Sequence, residues 1–182
     1  MSEEARPRNA TATRQAILLS ARAHFQHCGY DNVGVRAIAA DAGIDPALIS
    51  RYFGSKRQLF EEALESASQD PMQVFRGDPT TCGERVAAAV LDPDTDKARH
   101  MVFLGLVIGA ASSPEASQMA HAHIERNFIN PFCEWLGGER AQDKAWVICS
   151  LLMGAVIMKN IQPDYSPTQH FLAGQIQQVI DA

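Results

Sequence analysis

Residues 43–56, GIDPALISRYFGSK, specify a short helix from both ends, and only one glycine separates it from another short helix upstream. Asp45 has the side chain of an N-cap, and Pro46 falls at the first helical position, where a missing N–H costs nothing. Ile44 and Ile49 have the spacing of a hydrophobic staple, and Gly54 supplies the stop. Ser55 and Gln58 then form a capping-box pattern that opens a fourth helix, carried by Leu59, Phe60, Ala63, Leu64 and Ala67 to about Gln69. Upstream, Val35, Ile38, Ala39 and Ala42 recur at i, i+3, i+4 and i+7 before Gly43. Further upstream, Ile17, Ala21, Phe25 and Cys28 form one stripe of a helix over 13–28 that Gly29 ends.

On a helical wheel, Ile49 and Phe53 define the inward face of the third helix. Arg51 then points directly outward, flanked by Ala47 and Leu48, with Ser50 and Tyr52 on the shoulders. Such a face, on a helix joined by one tight glycine turn to a second short helix, has the makings of a helix-turn-helix. A small residue at Ala39 admits close approach, Gly43 turns the chain and Ile49 locks the second helix onto the first. That second helix can enter a major groove and lay its side chains on base edges. Lys56 and Arg57 stand in the first turn of the fourth helix, where the helix dipole disfavours cations. Their position is explained if that turn faces a phosphate, and Arg36 stands where a groove wall would be.

The rest of the chain reads as helix too, over roughly 82–91, 97–112, 115–136, 140–161 and 168–181. The breaks are RGDP, DPDTD, SSP, GGE and QPDYSP. With no hairpin dipeptide and no sustained alternation, the expected fold class is all-α with about nine helices. Residues 1–60 carry eight Lys/Arg against five Asp/Glu, a net of +3, and residues 61–182 carry eight against sixteen, a net of −8. The asymmetry fits a basic contact module joined to an acidic body.

Cysteines 28, 82, 133 and 149 show no CxxC pair, so four buried reduced thiols are expected rather than a zinc site or a disulfide framework. The first residues lack the apolar core of a secretory signal. The longest near-continuous apolar run, Ala145–Met158, is too short for a bilayer, so no membrane is expected and the protein should be cytoplasmic. His100, His121, His123 and Glu125 suggest a metal only superficially, because His-x-His on a helix directs its rings roughly 200° apart. No catalytic arrangement is specified, no metal or other cofactor is called for, and an enzyme is not expected.

TRQAILLSARAHFQHCGYDNVGVRAIAADAGIDPALISRYFGSKRQLFEEAL, residues 13–64, resembles the amino-terminal domain of the tetracycline-repressor (TetR) family of transcriptional regulators. The likeness runs through the F…GY end of the first helix, VRAIAADAG, LISRYFGSK and the following LF. It implies a helix-turn-helix DNA-binding domain of three helices over 1–58 and a helical ligand-binding and dimerisation domain over 59–182. The DNA-facing positions it implies are Arg36, Pro46, Ala47, Leu48, Ser50, Arg51, Tyr52 and Lys56. Two places depart from the family pattern. Val33 and Gly34 stand where Thr or Ser is common, which removes a helix cap, and Ser50 stands where tyrosine is frequent.

The family implies a homodimer joined through the last two long helices, with a pocket for a small-molecule effector among the others. AWVICSLLMGAVIM is apolar around its circumference, so it belongs at a dimer interface or within a core. Leu172, Ile176 and Val179 are spaced like an a/d seam, and Ser150 and Gly154 are small enough for helices to pack closely. For an apolar ligand the candidate walls are Phe103 and Val107, Ile124 and Phe128, and Trp146 and Met153, with His100 or His121 as polar anchors. Stripes of this kind also serve as plain core. The function expected is a one-component repressor that grips a palindromic duplex operator as a dimer and is released by a largely apolar effector. Two alternatives remain: a helix-turn-helix regulator with no small ligand, and a helical module that binds protein.

Overall fold

The computed structural model describes residues 5–68, 75–91, 97–162 and 168–182. In order come α1 (Ala5–Cys28), α2 (Val35–Asp41), α3 (Pro46–Phe53), α4 (Lys56–Ala67), α5 (Cys82–Leu91), α6 (Lys97–Ala110), α7 (Pro114–Ile124), α8 (Asn130–Leu136), α9 (Ala141–Ile161) and α10 (Thr168–Asp181). A short 3-10 turn, Pro79–Thr81, precedes α5, and a π turn, Glu125–Ile129, joins α7 to α8. With α7, the π turn and α8 counted as one interrupted rod, there are nine helices and no strand among the described residues, as expected of this all-α chain. Helix α1 begins at Ala5, well ahead of residue 13, and Pro7 falls in its first turn, where no intrahelical N–H is needed. Gln69 and most of the expected DPDTD and QPDYSP breaks lie outside the described residues.

The π turn has a local cause. Pro131 lacks an N–H, and its ring would clash with the carbonyl one turn back in a regular helix. The helix answers by widening, with the Asn130 N–H reaching the Glu125 carbonyl.

The chain forms two compact units, Met1–Ala67 with Val102–His123, and Ser68–Met101 with Ile124–Ala182. The first is larger than the 1–58 segment expected to handle DNA, because the inward stripe of α4 and parts of α6 and α7 share its core. Ile17, Ala21 and Phe25 of α1 pack there with Ile38, Ile49, Phe53, Phe60 and Leu64, and with Leu106 and Met119 of α6 and α7. The Ser20 hydroxyl donates to the Ile38 carbonyl at 3.0 Å, Arg22 donates to the Ser66 hydroxyl at 3.0 Å, and Arg14 pairs with Glu62. These tie α1 to α2 and α4. The glycines of GLVIG mark a close crossing, since a Cβ on Gly109 would sit 2.6 Å from the Phe25 carbonyl oxygen.

In the second unit, α5 and α10 approach so closely that a Cβ on Gly83 would lie 2.2 Å from the Ala173 carbonyl oxygen. Gln177 fastens the pair, accepting from the Gly83 N–H at 3.0 Å and donating to the Pro79 carbonyl at 3.0 Å. Phe75, Phe128, Phe132 and Trp135 form an aromatic group, Phe75 standing edge-on to Phe132 at 5.0 Å. From α9, Lys144 donates to the Ile180 carbonyl at 2.9 Å and Lys159 to that of Leu91, placing a cation at the last turns of α10 and α5.

Helix α9 carries the apolar run Ala145–Met158. Over Ala141–Lys159 it is long and apolar enough to cross a membrane by length and composition, although its uninterrupted apolar run is shorter. Only part of it packs within the chain: 17% of that stretch is buried, Ala145 and Ile148 lie in the second core, and its lysines donate to neighbouring helix ends.

Candidate nucleic-acid interface

Helices α2 and α3 are joined by the turn that the sequence specifies. Gly43 takes φ 66°, its N–H donates to Ala40 at 3.2 Å, and the Ile44 N–H reaches back to Ala39 at 2.9 Å. This pair of bonds is a Schellman motif, and it needs a residue with no Cβ at the left-handed position. Asp45 caps α3, its carboxylate accepting from the Ala47 N–H at 2.8 Å, with Pro46 next in line. Gly54 closes the helix at φ 79°, its N–H donating to Ser50 at 2.9 Å.

Held this way, α3 buries Ile49 and Phe53 and exposes Pro46, Ala47, Ser50 and Arg51, while Leu48 and Tyr52 are half-buried. Arg36, in the first turn of α2, is exposed as well. Gly34 leaves α2 without a side-chain cap, which is the loss expected of glycine there. The capping box of α4 is half built. The Ser55 hydroxyl accepts from the Gln58 N–H at 3.1 Å, but the Ser55 N–H turns to Phe53, and the Gln58 side chain takes the serine hydroxyl instead.

The two cations at the start of α4 have different surroundings. Arg57 pairs sideways with Glu61 at 3.2 Å. The ammonium of Lys56 sits 4.3 Å above the centre of the Tyr30 ring, a cation–π contact in the range of about 0.5–1 kcal/mol. From the sequence only Lys56 of the two is expected to meet a phosphate, and Tyr30 enters only as part of a motif. The signal for this contact was the tyrosine itself, but which cation it served was not visible. His123, weighed in the sequence only as a metal candidate, has a different place. It is buried, with Nδ1 3.5 Å from the Glu65 carboxylate and its ring 5.6 Å from Phe103, whereas His121 is exposed. The opposed orientations agree with the His-x-His geometry.

The expected ligand residues divide between the units. Phe103 and Val107 pack against the first core, and Ile124, Phe128 and Trp146 belong to the second. Met153 is half-buried and outside both clusters. Of the expected dimer residues, Leu172 and Ile176 are buried within the second core of the same chain, and Val179 packs on it. That stripe of α10 is covered by the same chain. Ser150 is exposed and Gly154 half-buried, with open space where a Cβ on Gly154 would stand. They share a face of α9 with Val147, Met158 and Ile161, three of the exposed large apolar side chains.

All four cysteines are free, but only Cys82 is fully buried, and Cys28 is exposed. At the end of α1 the chain turns through Gly29, and Tyr30 rather than Cys28 closes the core by stacking on Phe25 at 5.8 Å. Burial pushes the Cys149 thiol up to about 11 and those of Cys82 and Cys133 upward, which keeps them protonated and unreactive. Among the described residues, no group of three or more His, Cys, Asp or Glu side chains comes together to hold a metal ion.

Two family profiles match in succession: "Bacterial regulatory proteins, tetR family" over residues 17–63, and "Tetracyclin repressor-like, C-terminal domain" over residues 81–167. The HTH-type transcriptional regulator BetI of Agrobacterium fabrum is 40% identical over 57 residues, which are 31% of this chain and 28% of that protein. Among solved structures, NalD, the secondary repressor of the MexAB-OprM multidrug efflux pump in Pseudomonas aeruginosa, superposes with a TM-score of 0.69. It is 20% identical, over 92% of this chain and 95% of that one. A TetR-family regulator from Streptomyces coelicolor superposes with a TM-score of 0.57 at 25% identity, over 94% of this chain and 96% of its own. Both profiles describe one family of transcription regulators, so this chain belongs to the tetR family of bacterial regulatory proteins, and it is a DNA-binding regulator of transcription rather than an enzyme.

Proposed function

We propose that the chain acts in the cytoplasm as a homodimeric one-component repressor that grips a twofold-symmetric operator and is released by a small, largely apolar effector. The observation that carries this reading is the face of α3. A helix of eight residues is capped, stopped and anchored by two buried side chains, and it leaves Ala47, Ser50 and Arg51 exposed. Two such helices related by a twofold axis would enter successive major grooves. Arg36 and Lys56 would meet the backbone, the segment 1–58 serving as the reading head and 59–182 as the regulatory part. The repressor role described for NalD belongs to that protein and supports this reading by likeness alone.

The test is a gel shift against the DNA flanking the chain's own gene. The wild-type protein should bind it more tightly than an unrelated duplex. Arg51→Ala should cost about 1–3 kcal/mol on that DNA and little on the unrelated one, if the guanidinium reads a base. Lys56→Ala should weaken both alike and lower the salt slope by about 1. Unchanged operator affinity in both variants would mean that α3 docks elsewhere.

The dimer is supported by the outer stripe of α9, where Val147, Ser150, Gly154, Met158 and Ile161 recur at near-heptad spacing, with Ile161 69% exposed. On α10 the candidate contacts move from Leu172 and Ile176 to Phe171, which is 65% exposed, and Gly174. Light scattering at micromolar concentration should report a dimer, and Gly154→Arg should yield a folded monomer with weakened operator binding. A monomeric wild type would end the dimer proposal. For the effector we propose the second unit, against Ile124, Trp146 and Met153, with Phe128 as core behind them. The effector shifts DNA binding by no more than its differential affinity for the two states.

A further inference from the structure

Tyr30 occupies an unusual junction. Its ring is buried, stacked on Phe25 and edge-on to Phe60 at 5.2 Å, yet the same ring carries the Lys56 ammonium. The turn that presents it is clasped from the other side. A Cβ on Gly29 would lie 3.1 Å from the Gly109 carbonyl oxygen, so the backbone there runs against α6. Asp31 accepts a hydrogen bond from the buried Ser113 hydroxyl at 2.9 Å, just ahead of α7. Burial raises the Tyr30 pKa, and the nearby Glu115 carboxylate adds to the rise, so the phenol stays neutral.

Lys56 is placed against the helix dipole, and among the described residues no carboxylate pairs with it. A carboxylate partner would compete with a phosphate for the ammonium. An aromatic face steadies the cation without neutralising it. A lysine held in one orientation also has less side-chain freedom to lose when it meets its ligand.

We propose that Tyr30 is a positioning residue for DNA binding, its ring holding the Lys56 ammonium in the place where it meets a backbone phosphate. This rests on the reading of Lys56 as a phosphate contact. Tyr30→Leu should weaken binding to the gene-flanking duplex and to an unrelated duplex alike, and should lower the salt slope by about 1. Tyr30→Phe keeps the ring and should keep the wild-type slope. Tyr30→Leu should add no further slope change to Lys56→Ala.

The full chain also allows a check that does not depend on the leucine variant folding. Ring currents should shift the ε protons of Lys56 upfield in the wild type and in Tyr30→Phe. An unshifted Lys56 resonance overturns the proposal. So does a wild-type slope in folded Tyr30→Leu, or a further fall in the double variant. A wild-type chain that binds neither duplex would remove the proposed operator docking and this proposal together. Intact binding with a Tyr30-independent slope would remove only the role of Tyr30.

Discussion

Phe60→Ala is expected to cost about 3–5 kcal/mol of stability and to take DNA binding with it. The ring is fully buried on α4, edge-on to Phe25 at 5.1 Å and to Tyr30 at 5.2 Å. Aromatic pairs of this geometry contribute about 0.5–1.5 kcal/mol beyond the area they bury. Collapse into the vacated space is obstructed, because α1 is held against α6 where Gly109 meets the Phe25 backbone. A domain of ordinary stability has about 5–15 kcal/mol in hand, so the loss takes much of the margin. Without it, α3 loses the platform that presents Arg51. Urea denaturation of the two proteins measures the difference, and a loss below about 1 kcal/mol would show that this aromatic trio is not the centre of the first core.

Around α3 local chemistry decides the structure, and the sequence alone was enough to read it, whereas the capping box at Ser55 and Gln58 forms only by half. Asp45, Pro46, Gly43 and Gly54 each act within a few residues of themselves, the cap forming through the Asp45 carboxylate and the turn and the stop through the positive φ that glycine permits. The inward and outward faces of α3 followed from one helical period. Periodicity failed where there was none to read: the polar start of α1 from Ala5 carries no apolar stripe, though it is helical. The widening near Pro131 was legible in principle, since a proline inside a helical pattern must displace a hydrogen bond, but the apolar stripe around it was regular enough to hide it.

The site was less legible than the fold, for a different reason. A stripe such as Leu172, Ile176 and Val179 states that a face is covered and not what covers it. Here α5 of the same chain lies alongside, at the distance Gly83 permits. The exposed stripe on α9 emerged only once the self-covered faces were known. The Lys56 contact with Tyr30 joins residues far apart in sequence, and no spacing rule connects them.

Phe128 and Trp146 were expected to wall one pocket, and their surroundings now predict opposite outcomes on substitution by alanine. Phe128 lies in the π turn, 8% exposed, with its ring 5.6 Å from Phe75 and 6.0 Å from Phe132. It is a core residue, and Phe128→Ala should lose about 3–5 kcal/mol, with operator binding falling as the fold fails. Trp146 is only half-buried, packed against the same cluster from α9. A half-exposed indole has less burial to lose, so Trp146→Ala should cost clearly less stability and leave the folded protein able to bind its operator. A series of apolar aromatic compounds, followed by thermal shift, then reads the pocket directly, because a ligand that prefers the native state raises its melting point. Compounds that stabilise the wild type should fail to stabilise Trp146→Ala. Equal stabilisation of both proteins would place the effector away from Trp146, and a stability loss in Trp146→Ala as large as that in Phe128→Ala would make the indole core as well.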